Sequence, residues 1–244
     1  MRLGLCSGAL PGAPLEDLMQ AAATRGLSVV ELREEDLHGV APEMPMDAID
    51  VVARAARGNV GISAYRAGSR NKARRLARLS ELLNLPILVD GGPGDIRQRV
   101  ALALRIADTG GRSAIVVGGN DVLVQAAEAE MAGLEIAWEV DPLEGIPPAT
   151  AAALLDDHGM RLRHVRLRGG GPEADLHEGR GIGGMAARLA LGGYTGSLIL
   201  TPSSARYRIA WQSWLGRRGG WGCGGKDSAP ELVTLSGPAS GERR

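Results

Sequence analysis

The sequence has little of several features that mark particular classes of protein. Its 244 residues include no Phe, only two cysteines and no long apolar run. Cys6 and Cys223 lie far apart and lack Cys or His neighbours at metal-ligand spacing, so neither a disulfide framework nor a zinc site is indicated. A membrane helix needs about 18 apolar residues in a row. Without such a run and without a signal peptide, we expect a cytoplasmic protein with no membrane partner.

The sequence also has no excess of positive or negative charge, and it has few lysines. Lys+Arg and Asp+Glu both number 28, so the net charge gives no indication of a nucleic-acid partner. Lys72 and Lys226 are the only lysines, and the other basic residues are arginines. Arg binds carboxylates and phosphates through paired hydrogen bonds, so arginines at a site would suit an anionic substrate.

The sequence does contain a regular alternation of short apolar segments and longer helical ones. This pattern indicates a parallel sheet, and about eight strand–helix units favour a (β/α)8 barrel, the TIM barrel. An open doubly wound sheet is the alternative, but no GxGxxG follows the first strand. We predict one barrel domain over 1–216 and a Gly/Ser-rich tail over 217–244 that is disordered or loosely attached. Strands are predicted at 2–7, 29–33, 59–65, 86–90, 113–117, 134–141, 162–168 and 197–201.

Alternation within the strands sorts side chains that face the helices from those that face the barrel axis. Val30, Leu32 and the other apolar residues of matching parity are expected to face the helices. The inward set is then Glu31, Arg33, Glu139, Asp141, His164, Arg166 and Arg168. Since a buried charge needs a partner, these groups either neutralise one another or form a ligand site at the carboxyl ends of the strands. For the set as a whole we favour the ligand site.

Two glycine-rich stretches follow the seventh strand, RGGG at 168–171 and GRGIGG at 179–184. Loops at this point of a barrel commonly bind phosphate through backbone N–H groups. Arg180 lies in the second stretch and is a candidate for binding an anionic substrate. His38 follows the second strand in a loop, and we expect it at the surface.

Residues 162–203 resemble the end of the xylose-isomerase-like barrels, which include sugar-phosphate isomerases and epimerases. The matching parts are HVRLRG, the glycine-rich loop, the GGYTG turn and the last strand. The segment IAWEVDP resembles the strand that carries a metal-binding Glu in that family, which gives Glu139. The resemblance implies catalytic roles for Glu139 and His164, and a divalent Mn, Zn or Mg ion held by Glu139, Asp141 and His164. The reaction would move a proton between carbons of a small sugar or sugar phosphate.

The sequence also departs from this family's pattern. Arg166 stands where a second His is expected, Gly169 where an acid is expected, and Thr201 where the last strand should end in Glu. Two alternatives follow: a rearranged metal site that includes Glu31 or Asp90, or no metal and an anionic ligand held by arginines. The functional expectation is an isomerase or epimerase, and its alternative is a barrel without catalysis that acts as a binding or accessory protein. A homo-oligomer is left open.

Overall fold

The structure, a computed structural model, describes residues 1–36, 38–56, 58–67, 72–90, 96–140, 148–169 and 189–202. Eight parallel strands close into a barrel in chain order, with β8 pairing to β1. The prediction of a (β/α)8 barrel is therefore confirmed. The strands are β1 Arg2–Cys6, β2 Val29–Arg33, β3 Gly61–Ala67, β4 Ile87–Val89, β5 Ser113–Gly118, β6 Glu135–Val140, β7 Leu162–Gly169 and β8 Ser197–Pro202.

Six α-helices lie wholly within the described ranges and alternate with these strands: α1 Leu15–Thr24, α2 Met46–Ala55, α3 Ala73–Leu83, α4 Ile96–Asp108, α5 Val122–Met131 and α6 Pro148–His158. A 3-10 turn at Ser7–Ala9 follows β1. Glu16 and Asp17 lie in the first turn of α1, where carboxylates interact favourably with the helix dipole. Asn84 ends α3 in the left-handed conformation, with φ 51°. None of the helices in these ranges is long and apolar enough to cross a membrane.

The outer surface of the barrel wall packs on the helices in one continuous apolar core. This core includes strand residues whose parity predicted it, among them Val30, Leu32, Trp138, Val165 and Leu167. For these residues the predicted outward face in β2, β6 and β7 is confirmed, whereas Leu162, at the start of β7, joins the same core against the alternation because the register shifts there. The outward face is therefore a hydrophobic layer whose burial stabilises the barrel.

The inner surface of the wall holds two small apolar clusters. One joins strands β3 to β6 through Ala64, Leu88, Ala114, Val116 and Ala137. The other consists of Cys6, Val29 and Ile199. Small side chains suit the narrow barrel axis, and they leave room for larger polar side chains from β2, β6 and β7.

Gly4 shows how closely the cluster of Cys6, Val29 and Ile199 is packed. A Cβ at Gly4 would lie 2.5 Å from Cγ2 of Val29 and 2.8 Å from Cδ1 of Ile199. Only glycine fits at this position of β1 without displacing the neighbouring strands.

Candidate functional site

Arg166 lies at the centre of the charged groups inside the barrel. Its side chain is 0% exposed, and its Nε donates a hydrogen bond to Oε1 of Glu31 at 2.9 Å. Its Nη1 donates to Oε2 of Glu139. Glu31 belongs to β2 and Glu139 to β6, so Arg166 on β7 reaches across the axis and joins strands that are not neighbours. Burial disfavours the charge, but the two carboxylates outweigh it and raise the pKa of Arg166.

Glu139 receives hydrogen bonds or ion pairs from three arginines. Besides Arg166, Nη1 of Arg66 lies 3.5 Å from Oε2, and Nη1 of Arg168 lies 3.3 Å from Oε1. Burial opposes ionisation of this carboxyl group. The positive charges of Arg166, Arg66 and Arg168 are the stronger influence, so the pKa of Glu139 lies below its usual value. Glu139 is therefore ionised at neutral pH.

Of the three inward residues His164, Arg166 and Arg168 of β7, only Arg168 is open to solvent, and it lies towards the carboxyl ends of the strands, which we call the mouth. His164 is 2% exposed and Arg166 is fully buried, whereas the side chain of Arg168 is 46% exposed. In the register with β8, the three residues lie opposite Ser197, Ile199 and Thr201. A molecule entering from the mouth would therefore meet Arg168 first and Arg166 only after it.

His164 lies below Arg166, at the end of the barrel away from the mouth. Burial, together with the charges of Arg2 and Arg166, lowers the pKa of His164 to about 3. The imidazole is thus neutral at physiological pH. The backbone of Ser63 lies beside it.

Arg33 is held at the rim of the mouth by the turn that follows β2. It pairs with Glu35, and its Nε lies 3.9 Å from Oδ2 of Asp36. The expectation that His38 lies at the surface is wrong, because this residue is only 3% exposed. Its Nε2 lies 2.7 Å from the carbonyl oxygen of Arg33, and the amide of Val40 donates to Nδ1 at 3.1 Å. The loop folds back over His38 and satisfies both of its ring nitrogens.

One residue of the mouth, Arg66, was not among the predicted site residues. Arg66 on β3 pairs with Asp90, which follows β4, and also approaches Glu139. The predicted third strand ended at 65, whereas β3 continues to Ala67 and a register shift between β2 and β3 sets the parity of its last residues. Because of this shift, Ile62 packs on the outer core whereas Ala64 and Arg66 lie on the inner face, so a longer strand prediction alone would not have placed Arg66 there.

Asp141 and Arg180, predicted as a metal ligand and a substrate-binding residue, lie outside the described residues, as does the tail at 217–244. Their roles stay predictions. Glu31, Glu139, Arg166 and Arg168 are brought together, Arg33 lies at the rim, and His164 lies one layer below.

The described side chains do not fit a divalent metal ion. Within the described ranges, no group of three His, Cys, Asp or Glu residues is arranged to hold one. The two carboxylates that converge, Glu31 and Glu139, are both bound by the guanidinium of Arg166. A metal ion between them would have to displace that guanidinium and would lie next to further arginines.

Comparison with solved structures supports the fold at low sequence identity. D-psicose 3-epimerase is 15% identical with a TM-score of 0.59, covering 88% of this chain and 90% of that one. A probable 3-DHS dehydratase from Bacillus anthracis is 12% identical with a TM-score of 0.63, covering 88% and 97%. A xylose isomerase domain protein from Planctomyces limnophilus is 14% identical with a TM-score of 0.53, covering 87% and 92%.

No protein-family profile and no curated protein sequence matches the chain. The likeness to the solved structures shows that the chain has the fold of the xylose-isomerase-like barrels, as the resemblance of residues 162–203 predicted. The similar structures include sugar epimerases.

Proposed function

We propose that the protein is an isomerase or epimerase that moves a proton on a small hydroxy-carbonyl compound carrying an anionic group, such as a sugar phosphate. The observation that supports this most is the ionised Glu139 at the mouth of the barrel, surrounded by Arg66, Arg166 and Arg168. The carboxylate is ionised and can accept a proton, and the cations can bind the negative charge that develops on the substrate, although the same cations weaken the carboxylate as a base.

The roles follow from solvent access. Glu139, whose side chain is 17% exposed, is the proposed base. Arg168 is the most exposed of these arginines and binds the anionic group, and Arg66, with a side chain 17% exposed, binds the oxygen on which charge develops. When the substrate's anion shares Arg168, Glu139 is held less tightly and becomes more basic. We give His164 no contact with the substrate, because it lies beneath Arg166.

Polar groups without partners also suit a polyhydroxy substrate. Oε2 of Glu31 and Oγ1 of Thr201 are buried and have no hydrogen-bond partner in the described part of the chain. Buried polar atoms are normally paired, so such atoms near a mouth commonly bind water or a ligand. A hydroxyl group of a sugar would supply a partner for Oγ1 of Thr201, which lies near the carboxyl end of β8, whereas Glu31 is fully buried.

The test is solvent-deuterium exchange. The full chain is incubated in D2O with a panel of ketoses, aldoses and their phosphates, and NMR detects deuterium on the carbon next to the carbonyl. We expect exchange with at least one phosphorylated sugar, and its loss in Glu139→Gln. Glu135→Gln is the matched control, since Glu135 lies four residues earlier on β6 and pairs with Arg112 and Arg163 instead. Equal exchange in wild type and Glu139→Gln would reject Glu139 as the base.

Two observations favour a second function, a binding or accessory protein without catalysis. Both carboxylate oxygens of Glu139 are already engaged by arginines, and β8 carries Thr201 where an acid is expected. Saturable binding of a sugar phosphate, without any deuterium exchange across the panel, would support this second function against the first.

A further inference from the structure

The centre of the barrel contains a cation supplied by the chain itself. Arg166 is fully buried and contacts Glu31 from one side of the axis and Glu139 from the other. These three groups form a compact unit in which one positive charge lies between two negative ones. Glu31 is fully buried as well, so its charge has no access to water and depends on the guanidinium.

A divalent metal ion meets the same requirement in sites built from carboxylates, because it neutralises oxygens that converge on one point. The guanidinium does so without an ion that can be exchanged or chelated, and it stays charged at every physiological pH. The surroundings reinforce the difference. Arg66 and Arg168 approach Glu139 at 3.5 and 3.3 Å, so a metal ion here would face two more positive charges.

We infer that Arg166 is a built-in cation that takes the place of a divalent metal ion at the centre of this barrel, so that the site is organised without metal. The inference goes beyond the proposed reaction. It concerns the ion selectivity of the site, and metal binding tests it without any substrate. A negative deuterium-exchange test would therefore leave this inference unaffected. A negative metal-binding test would likewise leave the proposed reaction unaffected.

The substitution Arg166→His makes the inference testable. It removes the guanidinium and leaves an imidazole near the carboxylates of Glu31 and Glu139, which gives three ligands of the kinds that Zn²⁺ and Mn²⁺ accept. Arg168→His is the matched control. It makes the same change two residues further along β7, at an exposed position with a single contact to Glu139 at 3.3 Å.

The experiment is equilibrium dialysis of the full chain, purified without chelator, against MnCl2 and against ZnCl2. We expect wild type and Arg168→His to hold no stoichiometric ion. Arg166→His is expected to bind Mn²⁺ or Zn²⁺ about tenfold more tightly than wild type and Arg168→His do, a change of about 1.4 kcal/mol in binding free energy. Circular dichroism shows whether each variant is folded.

Two results would overturn the inference. One is wild-type protein that carries a stoichiometric divalent ion and loses it in Glu139→Gln. The other is folded Arg166→His that binds no more tightly than Arg168→His. If Arg166→His does not fold, Arg166→Lys decides instead, because it keeps a cation at the same position. A metal-free Arg166→Lys supports the inference, and a stoichiometric ion in it contradicts the inference.

Discussion

The two surfaces of the barrel wall are built on opposite principles. The outer surface carries Leu, Val, Ile and Trp side chains that pack on the helices. Such a side chain can be replaced by another apolar one of similar volume at little cost in stability. The inner surface combines small apolar residues with charged groups whose partners are specific, such as Glu31 with Arg166. The outer surface therefore supports stability in general, and the inner surface carries the chemistry of this particular chain.

Adjacent residues of β7 give the largest expected difference between the two surfaces. Arg166→Met leaves Glu31 and Glu139 facing each other without their shared cation, and removing one partner of a buried pair costs about 3–5 kcal/mol. Leu167→Met changes the next residue, on the outer surface, and conserves volume, so it should cost less than about 1.5 kcal/mol. Urea unfolding followed by circular dichroism measures both. Equal losses in the two variants would contradict the comparison.

His164 predicts a dependence of stability on pH. The pKa of its imidazole is about 3 in the folded chain, because of burial and the charges of Arg2, Arg166 and Arg112. The pKa of an unfolded His is about 6.5. Below that pH the unfolded chain takes up a proton that folded His164 does not bind, so stability falls as the pH drops from 6.5 towards 3. At pH 5 the loss from this residue is about 2 kcal/mol.

The measurement is urea unfolding of wild type and His164→Leu at pH 7.5 and pH 5. Other groups titrate equally in both proteins, so the difference between the two pH dependences isolates His164. We expect the variant to lose about 2 kcal/mol less than wild type between the two pH values. Identical losses would mean that His164 is protonated as readily in the folded state as in the unfolded state.

Tyr194 tests the turn that leads into β8. Its hydroxyl lies 3.0 Å from the carbonyl oxygen of Arg163 and 2.8 Å from that of Ser197, at the end of the barrel away from the mouth. Tyr194→Phe removes one buried hydrogen bond and should cost about 1 kcal/mol in urea unfolding. Deuterium exchange should be unchanged, since the residue is far from the mouth. A loss of exchange with unchanged stability would instead connect this turn to the site.

Lys72 should give the smallest effect. It pairs with Glu34 at 2.9 Å and with Glu43 at 3.1 Å, but its side chain is 39% exposed. Water screens such pairs, so Lys72→Ala should change the free energy of unfolding by less than about 1 kcal/mol, and by still less at high salt. Thermal unfolding at low and high NaCl concentrations checks this. A loss as large as that of Arg166→Met would show that rim pairs matter as much as the buried one.

The fold was largely predictable because hydrophobic alternation is a local property of the sequence. Strand β2 was predicted with the bounds observed, Val29–Arg33, since apolar and charged residues alternate from Val30 to Arg33. The third strand was placed two residues too early. It was predicted at 59–65, whereas β3 runs from Gly61 to Ala67, so Arg66 fell beyond the predicted strand.

The site was predictable only in part. Parity placed Glu31, Glu139 and Arg166 on the inner face, but the pairing of Glu31 with Arg166 joins residues 135 positions apart. Such a contact depends on how the strands stagger around the closed barrel, which no local pattern records. The buried state of His38 has a similar cause, because the loop after β2 folds back over it.

The most direct test of the account combines its two claims about the mouth of the barrel. Solvent-deuterium exchange into the best sugar phosphate of the panel is measured with chelator-treated wild type, and again after MnCl2 is added. If Glu139 is the base and Arg166 the resident cation, the chelated protein exchanges deuterium, and added Mn²⁺ leaves the rate unchanged. Exchange that appears only after Mn²⁺ is added would contradict the account.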